Sequence, residues 1–283
     1  MNLSDINTVK AILSKEGFSF KKSLGQNFLI DGSVCPMMAD AACDGDTGVI
    51  EIGPGIGVLT SELAKRAKRV TAIELDERLK KILDKTVGEF ANAEIIYGDA
   101  MKIDLKKLIL NKFNDCKKVA VCANLPYYIT SPLIMSLLEQ KLPIDNITVM
   151  VQKEAAERLC AEIGTREAGA VSVAVSYYSV PNVLFTVDRE SFLPSPKVDS
   201  SVIQLKIRKT PPISVRDEEA FFKFIKACFA QRRKTLVNTV SNTLNLDREK
   251  VRNALVKSGI REDVRSESLT IDQLAAVSDN LFA

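Results

Sequence analysis

The sequence predicts an α/β fold, in which an open and mainly parallel sheet is followed by a smaller domain made only of helices. Short apolar runs alternate with helical periodicity between about residues 48 and 208, which is the pattern of a βα series. Beyond a linker at residues 210–213 that contains two prolines, only helical periodicity remains. The predicted domains are therefore residues 1–209 and residues 210–283.

A glycine loop follows the first strand of this series. An apolar run over residues 49–52 leads into three alternating glycines in residues 53–57, and a helix is predicted over residues 59–67. The third glycine of the dinucleotide-binding fingerprint is missing, because Val58 occupies its position, and no Walker lysine is present. The loop is instead similar to the S-adenosylmethionine loop of Rossmann-like methyltransferases. A tight structural turn is the alternative.

Acidic residues follow the next two predicted strands. The strand over residues 70–74 ends on Glu74, about 20 residues past the loop, where a carboxylate can accept hydrogen bonds from both hydroxyls of a ribose. A third strand, over residues 94–97, leads to Asp99. This side chain either binds the exocyclic amine of an adenine or caps the segment that begins near Met101.

The fourth strand, residues 119–123, runs directly into Asn124-Leu125-Pro126-Tyr127. The side-chain oxygen of Asn124 and a nearby backbone carbonyl can both accept hydrogen bonds from one amino group. Pro126 restricts the local φ angle, and Tyr127 offers a ring face for stacking. The motif therefore suits a planar base with an exocyclic amine, with a plain turn between strand and helix as the alternative.

The order of these residues strengthens the prediction, since the carboxyl ends of strands in an open parallel sheet line one crevice. We expect that crevice to contain Glu51, Gly53, Glu74, Asp99 and Asn124.

The remaining elements complete the two predicted domains. Ser131 followed by Pro132 predicts the start of a helix that continues over residues 133–140. Further strands are predicted over residues 147–151, 170–178 and 201–207. The second domain is predicted to contain helices over residues 218–229, 233–244 and 248–258. Its last helix opens with a capping box formed by Thr270 and Gln273.

Composition excludes several classes of function. The 283 residues, 46% of them hydrophobic, can bury one large core with a smaller domain attached. No apolar run is long enough to cross a bilayer and no secretory signal is visible, so we expect a cytoplasmic protein. The absence of histidine excludes Ser-His-Asp catalysis and histidine-ligated zinc. The six cysteines include no C-x-x-C pair, which favours reduced packing residues and no metal site.

Two basic clusters are candidates for binding nucleic acid. One contains Lys21 and Lys22, and the other contains Arg232, Arg233 and Lys234. Such clusters can neutralise phosphates. A net charge of only +3 does not by itself indicate such a partner, so a solvated basic face is the alternative for each cluster.

At the level of whole motifs, the chain resembles the ribosomal RNA adenine dimethyltransferases, and within them the small-subunit (16S) enzymes. The resemblance covers nearly the whole chain and rests on residues 24–29, 51–57, 124–127, 151–154, 192–200 and 229–236. One departure is Tyr128, where relatives often carry Asn; we expect it to alter loop packing but not the chemistry.

The resemblance implies dimethylation at N6 of two adjacent adenines near the 3′ end of small-subunit ribosomal RNA. It implies a catalytic group of Asn124, Leu125, Tyr127 and Phe192, with Phe192 stacking on the target adenine opposite Tyr127. S-adenosylmethionine, and its product S-adenosylhomocysteine, would contact Asn27, Leu29, Glu51, Gly53, Gly55, Glu74, Asp99 and Asn124. The RNA would be recognised within a pre-assembled small subunit, by a protein that acts as a monomer and contributes to subunit biogenesis.

Three alternatives remain at this point. A large-subunit adenine methyltransferase of the macrolide-resistance type shares the glycine loop and the Asn-x-Pro-aromatic motif, although residues 192–200 and 229–236 favour the small-subunit enzyme. A DNA N6-adenine methyltransferase would require a target-recognition domain, and none is evident. The third alternative is a non-catalytic assembly factor. The intact set of Glu51, Glu74, Asp99 and Asn124 argues against it.

Overall fold

The structure is a computed structural model that describes residues 3, 5–15, 28–124, 129–231 and 233–283. Six of the candidate site residues lie outside the described residues, namely Lys21, Lys22, Asn27, Leu125, Tyr127 and Arg232. The chain forms two compact units, each built from two segments. The first unit contains Met1–Ala156 and Pro181–Ile207, and the second contains Glu157–Val180 and Arg208–Ala283.

The strands and helices of the described residues are numbered in chain order. The strands are β1 (Phe28–Leu29), β2 (Thr47–Ile52), β3 (Arg69–Glu74), β4 (Ala93–Tyr97), β5 (Lys118–Asn124), β6 (Asn146–Gln152), β7 (Ser179–Val187), β8 (Phe192–Leu193) and β9 (Ser200–Ile207). The helices are α1 (Ile6–Lys15), α2 (Val34–Ala42), α3 (Val58–Ala64), α4 (Lys80–Thr86), α5 (Leu105–Lys112), α6 (Thr130–Glu139), α7 (Lys153–Leu159), α8 (Ala170–Tyr178), α9 (Glu218–Cys228), α10 (Leu236–Leu244), α11 (Arg248–Lys257) and α12 (Ile271–Leu281).

A seven-stranded sheet with the order β4-β3-β2-β5-β6-β9-β7 forms the centre of the first unit. Strand β2 pairs in parallel with both β3 and β5, and the parallel pairing extends outward to β4 and β6. Strand β9 pairs antiparallel with β6. The chain proceeds from β2 outward to β4 and then returns to place β5 on the other side of β2. The sheet is thus mixed, with its strand order reversing between β2 and β5.

The inner parallel strands are buried because helices cover the sheet, whereas β4 is half-buried. Every residue of β2 is buried, and its apolar residues continue into a core shared with several helices. Met38 of α2, Leu63 of α3 and Leu83 of α4 pack in that core with Val49 and Val70 of the sheet, all of them fully buried. The strands that were predicted from apolar runs over residues 49–52, 70–74, 94–97, 119–123, 147–151 and 201–207 are confirmed.

The prediction of a strand over residues 170–178 was wrong, because this segment forms helix α8. A short apolar run fits a buried strand and a buried helix equally well. The backbone N–H of Gly169 donates to the Ser172 hydroxyl at 3.0 Å, which completes the cap of the helix. Val173 and Tyr177, one helical turn apart, face a core that contains Phe221.

The second unit is consequently larger than the helical domain predicted from the sequence. Its longer segment begins at Arg208, close to the predicted linker, but Glu157–Val180 also belongs to it. The assignment of that segment to the first domain is therefore corrected. The core of the second unit is rich in aromatic rings: Tyr177 lies 5.8 Å from Phe221 and 5.2 Å from Phe222, measured between ring centroids.

Two predicted helix starts need correction. Helix α6 begins at Thr130, so Ser131 is not its N-cap, and Pro132 lies within the first turn, where a missing N–H costs no intrahelical bond. Helix α10 begins at Leu236 rather than near residue 233. Arg233 and Lys234 lie instead in the turn that precedes it.

The predicted capping box of α12 is confirmed. The backbone N–H of Gln273 donates to the Thr270 hydroxyl at 3.3 Å, and the backbone N–H of Thr270 donates to the Gln273 side chain at 3.0 Å.

Across the described ranges, no helix combines the length and apolar character needed to cross a membrane. The six cysteines are free thiols, three buried and three half-buried.

Candidate active site

The predicted site residues of the sheet lie at the carboxyl ends of four neighbouring strands. Ile52 of β2 is the Cα partner of Ile73 on β3 and of Ala123 on β5, and Glu74 is the partner of Tyr97 on β4. Because these strands are parallel and in register, their ends meet at one edge, at the point where the strand order reverses. The structure thus places along that edge Glu51, Gly53, Gly55, Glu74, Asp99 and Asn124.

The glycine loop adopts a backbone that residues with a Cβ rarely adopt. Gly53, Gly55 and Gly57 have φ angles of +72°, +59° and +88°. A Cβ on Gly57 would also lie 2.6 Å from Val87 Cγ2, so close packing against the end of α4 requires glycine there. Within the described residues, a Cβ on Gly53 would meet nothing within 4 Å. The backbone at Gly53 therefore borders open space, which a ligand can occupy.

Glu74 links the end of β3 to this loop. Its Oε2 atom accepts a hydrogen bond from the Gly55 backbone N–H at 3.1 Å, and its Oε1 atom accepts one from the Asp76 backbone N–H at 2.8 Å. Burial raises the pKa of this carboxyl, which is only 6% exposed. The two oxygens of a carboxylate can together accept about four hydrogen bonds, so Glu74 retains capacity for a further donor.

Glu51 has the most unusual environment in the site. It is 1% exposed, and neither of its carboxylate oxygens has a hydrogen-bond partner among the residues that the structure describes. Burial raises its pKa to about 8; the neighbouring Thr60 hydroxyl opposes part of this rise, and the negative charge of Glu74 adds to it. An unpaired buried carboxylate is costly, so such a group is usually retained for a ligand or for catalysis. This position accordingly suits a positively charged group.

Asp99 and Asn124 are less buried. Asp99 accepts a hydrogen bond from the Met101 backbone N–H at 3.0 Å and lies 3.7 Å from the Lys102 ammonium group. Asp99 therefore closes a turn at Met101 rather than capping a helix, since the next helix, α5, begins at Leu105, and a contact with a base stays a prediction. Asn124 is half-buried and is the last residue of β5, opposite Met150 of β6.

Leu29 and Phe192 are brought together by a separate sheet of two strands. Strand β1 pairs antiparallel with β8, and Leu29 is the Cα partner of Phe192. Both side chains are 3% exposed and belong to the core of the first unit. Stacking on a base requires an uncovered ring face, so the role of Phe192 stays a prediction.

The described part of the second basic cluster lies in the other unit. Arg233 and Lys234 are exposed, and the Lys234 backbone N–H donates to the Gln231 carbonyl at 3.0 Å, which closes the turn before α10.

Sequence reasoning missed Asp76 altogether. Asp76 acts through its backbone N–H, which donates a hydrogen bond to Glu74. A pattern of side chains in the sequence does not indicate a contact made by the backbone.

The fold and the site together define a class of protein. A parallel sheet whose first strand ends in a glycine loop, and whose next strand ends on a carboxylate bonded to that loop, is typical of Rossmann-like methyltransferases. The predicted fold class is confirmed. A family model described as ribosomal RNA adenine dimethylase matches residues 17–282, and this chain belongs to that family.

Individual relatives agree with this assignment. The ribosomal RNA small subunit methyltransferase A of Bacillus licheniformis is 49% identical over 276 residues, which are 96% of this chain and 94% of that protein. The protein of the same name from Geobacillus thermodenitrificans is 49% identical over 277 residues, again 96% and 94% of the two chains.

Solved structures show the same relationship at lower identity. The dimethyladenosine transferase from Plasmodium falciparum has a TM-score of 0.70 and 25% identity, covering 88% of this chain and 95% of that one. The 23S rRNA methyltransferase ErmE has a TM-score of 0.68 and 26% identity, covering 90% and 100%.

The raised pKa of Glu51 predicts how the stability of the free protein depends on pH. Below the ordinary value of 4.5 the carboxyl is protonated in the folded and unfolded states alike, and folding carries no penalty. As the pH rises from 4.5 to about 8, only the unfolded state ionises freely, so stability is lost, on the order of 5 kcal/mol in total.

We therefore expect Glu51→Gln to remove this part of the pH dependence. The free energy of unfolding, measured in urea at intervals from pH 5 to 8, should fall less steeply for the variant than for the wild type. The control is Glu89→Gln, which changes an exposed carboxylate. Parallel pH profiles for wild type and Glu51→Gln would contradict the assigned environment of Glu51.

Proposed function

We propose that this protein uses S-adenosylmethionine to dimethylate N6 of two adjacent adenines near the 3′ end of small-subunit (16S) ribosomal RNA. The observation that carries the proposal is the pair of buried carboxylates, Glu51 and Glu74, at the glycine loop. The full-length similarity to small-subunit methyltransferases, at 49% identity, supports this choice of RNA over the large-subunit alternative.

The carboxylates fit the charge and hydrogen-bonding groups of this cofactor. S-adenosylmethionine carries a sulfonium and an ammonium group, and it supplies an electrophilic methyl group whose loss leaves a neutral thioether. Glu51, buried and without a partner among the described residues, would balance a positive charge in the crevice. Glu74 would accept hydrogen bonds from ribose hydroxyls with the capacity that its backbone donors leave unused.

Asn124 would prepare the target nitrogen for attack. The lone pair of adenine N6 is delocalised into the ring, which makes this nitrogen a poor nucleophile. If the Asn124 side-chain oxygen and a backbone carbonyl accept hydrogen bonds from the two N–H bonds of this amino group, a pyramidal nitrogen is favoured. Its lone pair is then directed at the methyl group. The proton released after transfer can pass to water, so the reaction requires no strong base. The absence of histidine is therefore compatible with this chemistry.

The RNA partner would be bound through base stacking and phosphate contacts. A target adenine must leave its stack, at a cost of roughly a few kcal/mol, and stacking between Tyr127 and Phe192 would offset about 1–3 kcal/mol per base. Arg233 and Lys234, both exposed, would contact phosphates together with Arg232, Lys21 and Lys22. We further propose that the substrate is a pre-assembled small subunit in the cytoplasm and that the protein acts as a monomer.

Methyl transfer tests the proposed function directly. Purified protein would be incubated with labelled S-adenosylmethionine and with small subunits that lack the modification, large subunits or duplex DNA. We expect label only on small-subunit RNA, as N6,N6-dimethyladenine near the 3′ end. Label on large-subunit RNA would reassign the protein to the resistance type. Binding of cofactor and subunit without transfer would favour an assembly factor.

We expect Asn124→Ala to abolish methylation while cofactor affinity falls far less, because the amide acts on the target base. Transfer to small subunits measures the first effect, and calorimetry with S-adenosylhomocysteine measures the second. The matched control is Asn111→Ala, which changes an exposed asparagine on α5. Near-normal turnover in the Asn124 variant would refute its role.

We expect Arg232→Glu combined with Arg233→Glu to weaken binding to small subunits and to flatten its dependence on salt, because phosphate contacts release counterions. Affinity would be measured by filter binding over a salt series, and affinity for S-adenosylhomocysteine should not change. The control is Lys250→Glu with Lys257→Glu, which alters net charge equally at exposed positions of α11. Equal losses in both double variants would show that only net charge matters.

A further inference from the structure

Asp31 connects two segments that are distant in the chain. Its Oδ1 atom accepts hydrogen bonds from the Ser33 backbone N–H at 2.9 Å and from the Ser33 hydroxyl at 2.7 Å. Its Oδ2 atom accepts a hydrogen bond at 3.2 Å from the hydroxyl of Ser191, which lies 160 residues further along. The bonds from Ser33 contribute most to holding the pKa of this carboxyl below its ordinary value, and burial opposes them only in part. The side chain is therefore an ionised acceptor shared by two segments.

The two segments that it joins are those of the small β1–β8 sheet. Leu29 precedes Asp31 by two residues, and Phe192 directly follows Ser191. The ladder between them contains only two residue pairs, extended by one hydrogen bond from the Ile30 N–H to the Ser191 carbonyl at 2.8 Å. A two-stranded sheet is marginally stable even when it is longer. The side-chain link from Asp31 is thus a substantial part of what fixes the register.

We propose that Asp31 is a positioning residue for methyl transfer, which holds β8 in the register that places Phe192 opposite Leu29. The inference rests on the proposed function, in which Leu29 contacts the cofactor and Phe192 the target adenine. A slip of one residue in a β ladder turns each side chain to the opposite face. Asp31 therefore connects the cofactor side of the reaction to the base side.

The hydrogen bonds of Asp31 are partly exposed to solvent, and this allows a positioning role to be distinguished from a purely structural one. Ser33 is exposed, while Asp31 and Ser191 are half-buried, so water can replace a lost hydrogen bond. Removal of the carboxylate should therefore affect global stability little, whereas the position of a reacting group tolerates only small errors.

The experiment compares kcat, KM and cofactor affinity in Asp31 variants. Asp31→Ala should lower kcat on small subunits by about 10-fold or more, with little change in KM for the subunit, because a misplaced base reacts slowly once bound. Asp31→Asn should restore most of kcat. Its Oδ1 atom can accept from Ser33, and its Nδ2 atom can donate to the Ser191 hydroxyl.

Two further variants test the path through Ser191. Ser191→Ala should lower kcat in the same way, and the double variant with Asp31→Ala should be no slower than Asp31→Ala alone, since both remove one link. The matched control is Asp104→Ala. That carboxylate accepts a hydrogen bond from the Lys107 backbone N–H at 2.9 Å at the start of α5, and its loss should leave kcat unchanged.

Binding of S-adenosylhomocysteine, measured by calorimetry, gives a readout that is independent of turnover. Asp31→Ala should weaken this binding several-fold, and Asp31→Asn should restore it. Wild-type protein that binds S-adenosylhomocysteine but transfers no methyl to small subunits would overturn the proposed function alone, because rescue of binding still tests the link. Equal values for Asp31→Ala and Asp31→Asn in both assays, or fully additive effects with Ser191→Ala, would overturn the inference.

Discussion

The parallel pairing of β2 with both β3 and β5 is the constraint on which the rest of the site depends. Because the chain returns to β2 after β4, the strand order reverses there, and the ends of four strands meet at one edge. The glycine loop, the Glu74 carboxylate and Asn124 are positioned by this pairing rather than by one another. The hydrogen bond from Gly55 to Glu74 then connects two of these strand ends directly.

The polar residues at strand ends could be predicted from the sequence, because each directly follows an apolar run that is recognisable by itself. Helix α8 could not, since its apolar run fits two periodicities and the choice between them depends on Phe221, a residue far along the chain. Asp31 escaped notice for a related reason. Its importance lies in a hydrogen bond from the Ser191 hydroxyl, and a single sequence considered by itself contains no signal of such a contact.

The site combines two buried carboxylates that differ in their hydrogen bonding. Glu74 is satisfied in part by backbone donors, whereas Glu51 has no partner among the described residues. A protein that retains such a group accepts lower stability in its free form in return for a site complementary to a cation. On the Glu74 side, the glycine loop is held by the hydrogen bond from the Gly55 N–H, whereas beside Gly53 the described residues leave space.

The position of β9 has a consequence for the order in which the protein can fold during synthesis. Strand β9 lies between β6 and β7 in the sheet, yet it is made last of the three. One edge of β6 therefore has no strand to pair with until Ser200–Ile207 has left the ribosome, by which time Glu157–Val180 of the second unit has already emerged. An unpaired edge is a template for aggregation. The nascent chain thus exposes this edge from the time that β6 leaves the ribosome until β9 has followed it.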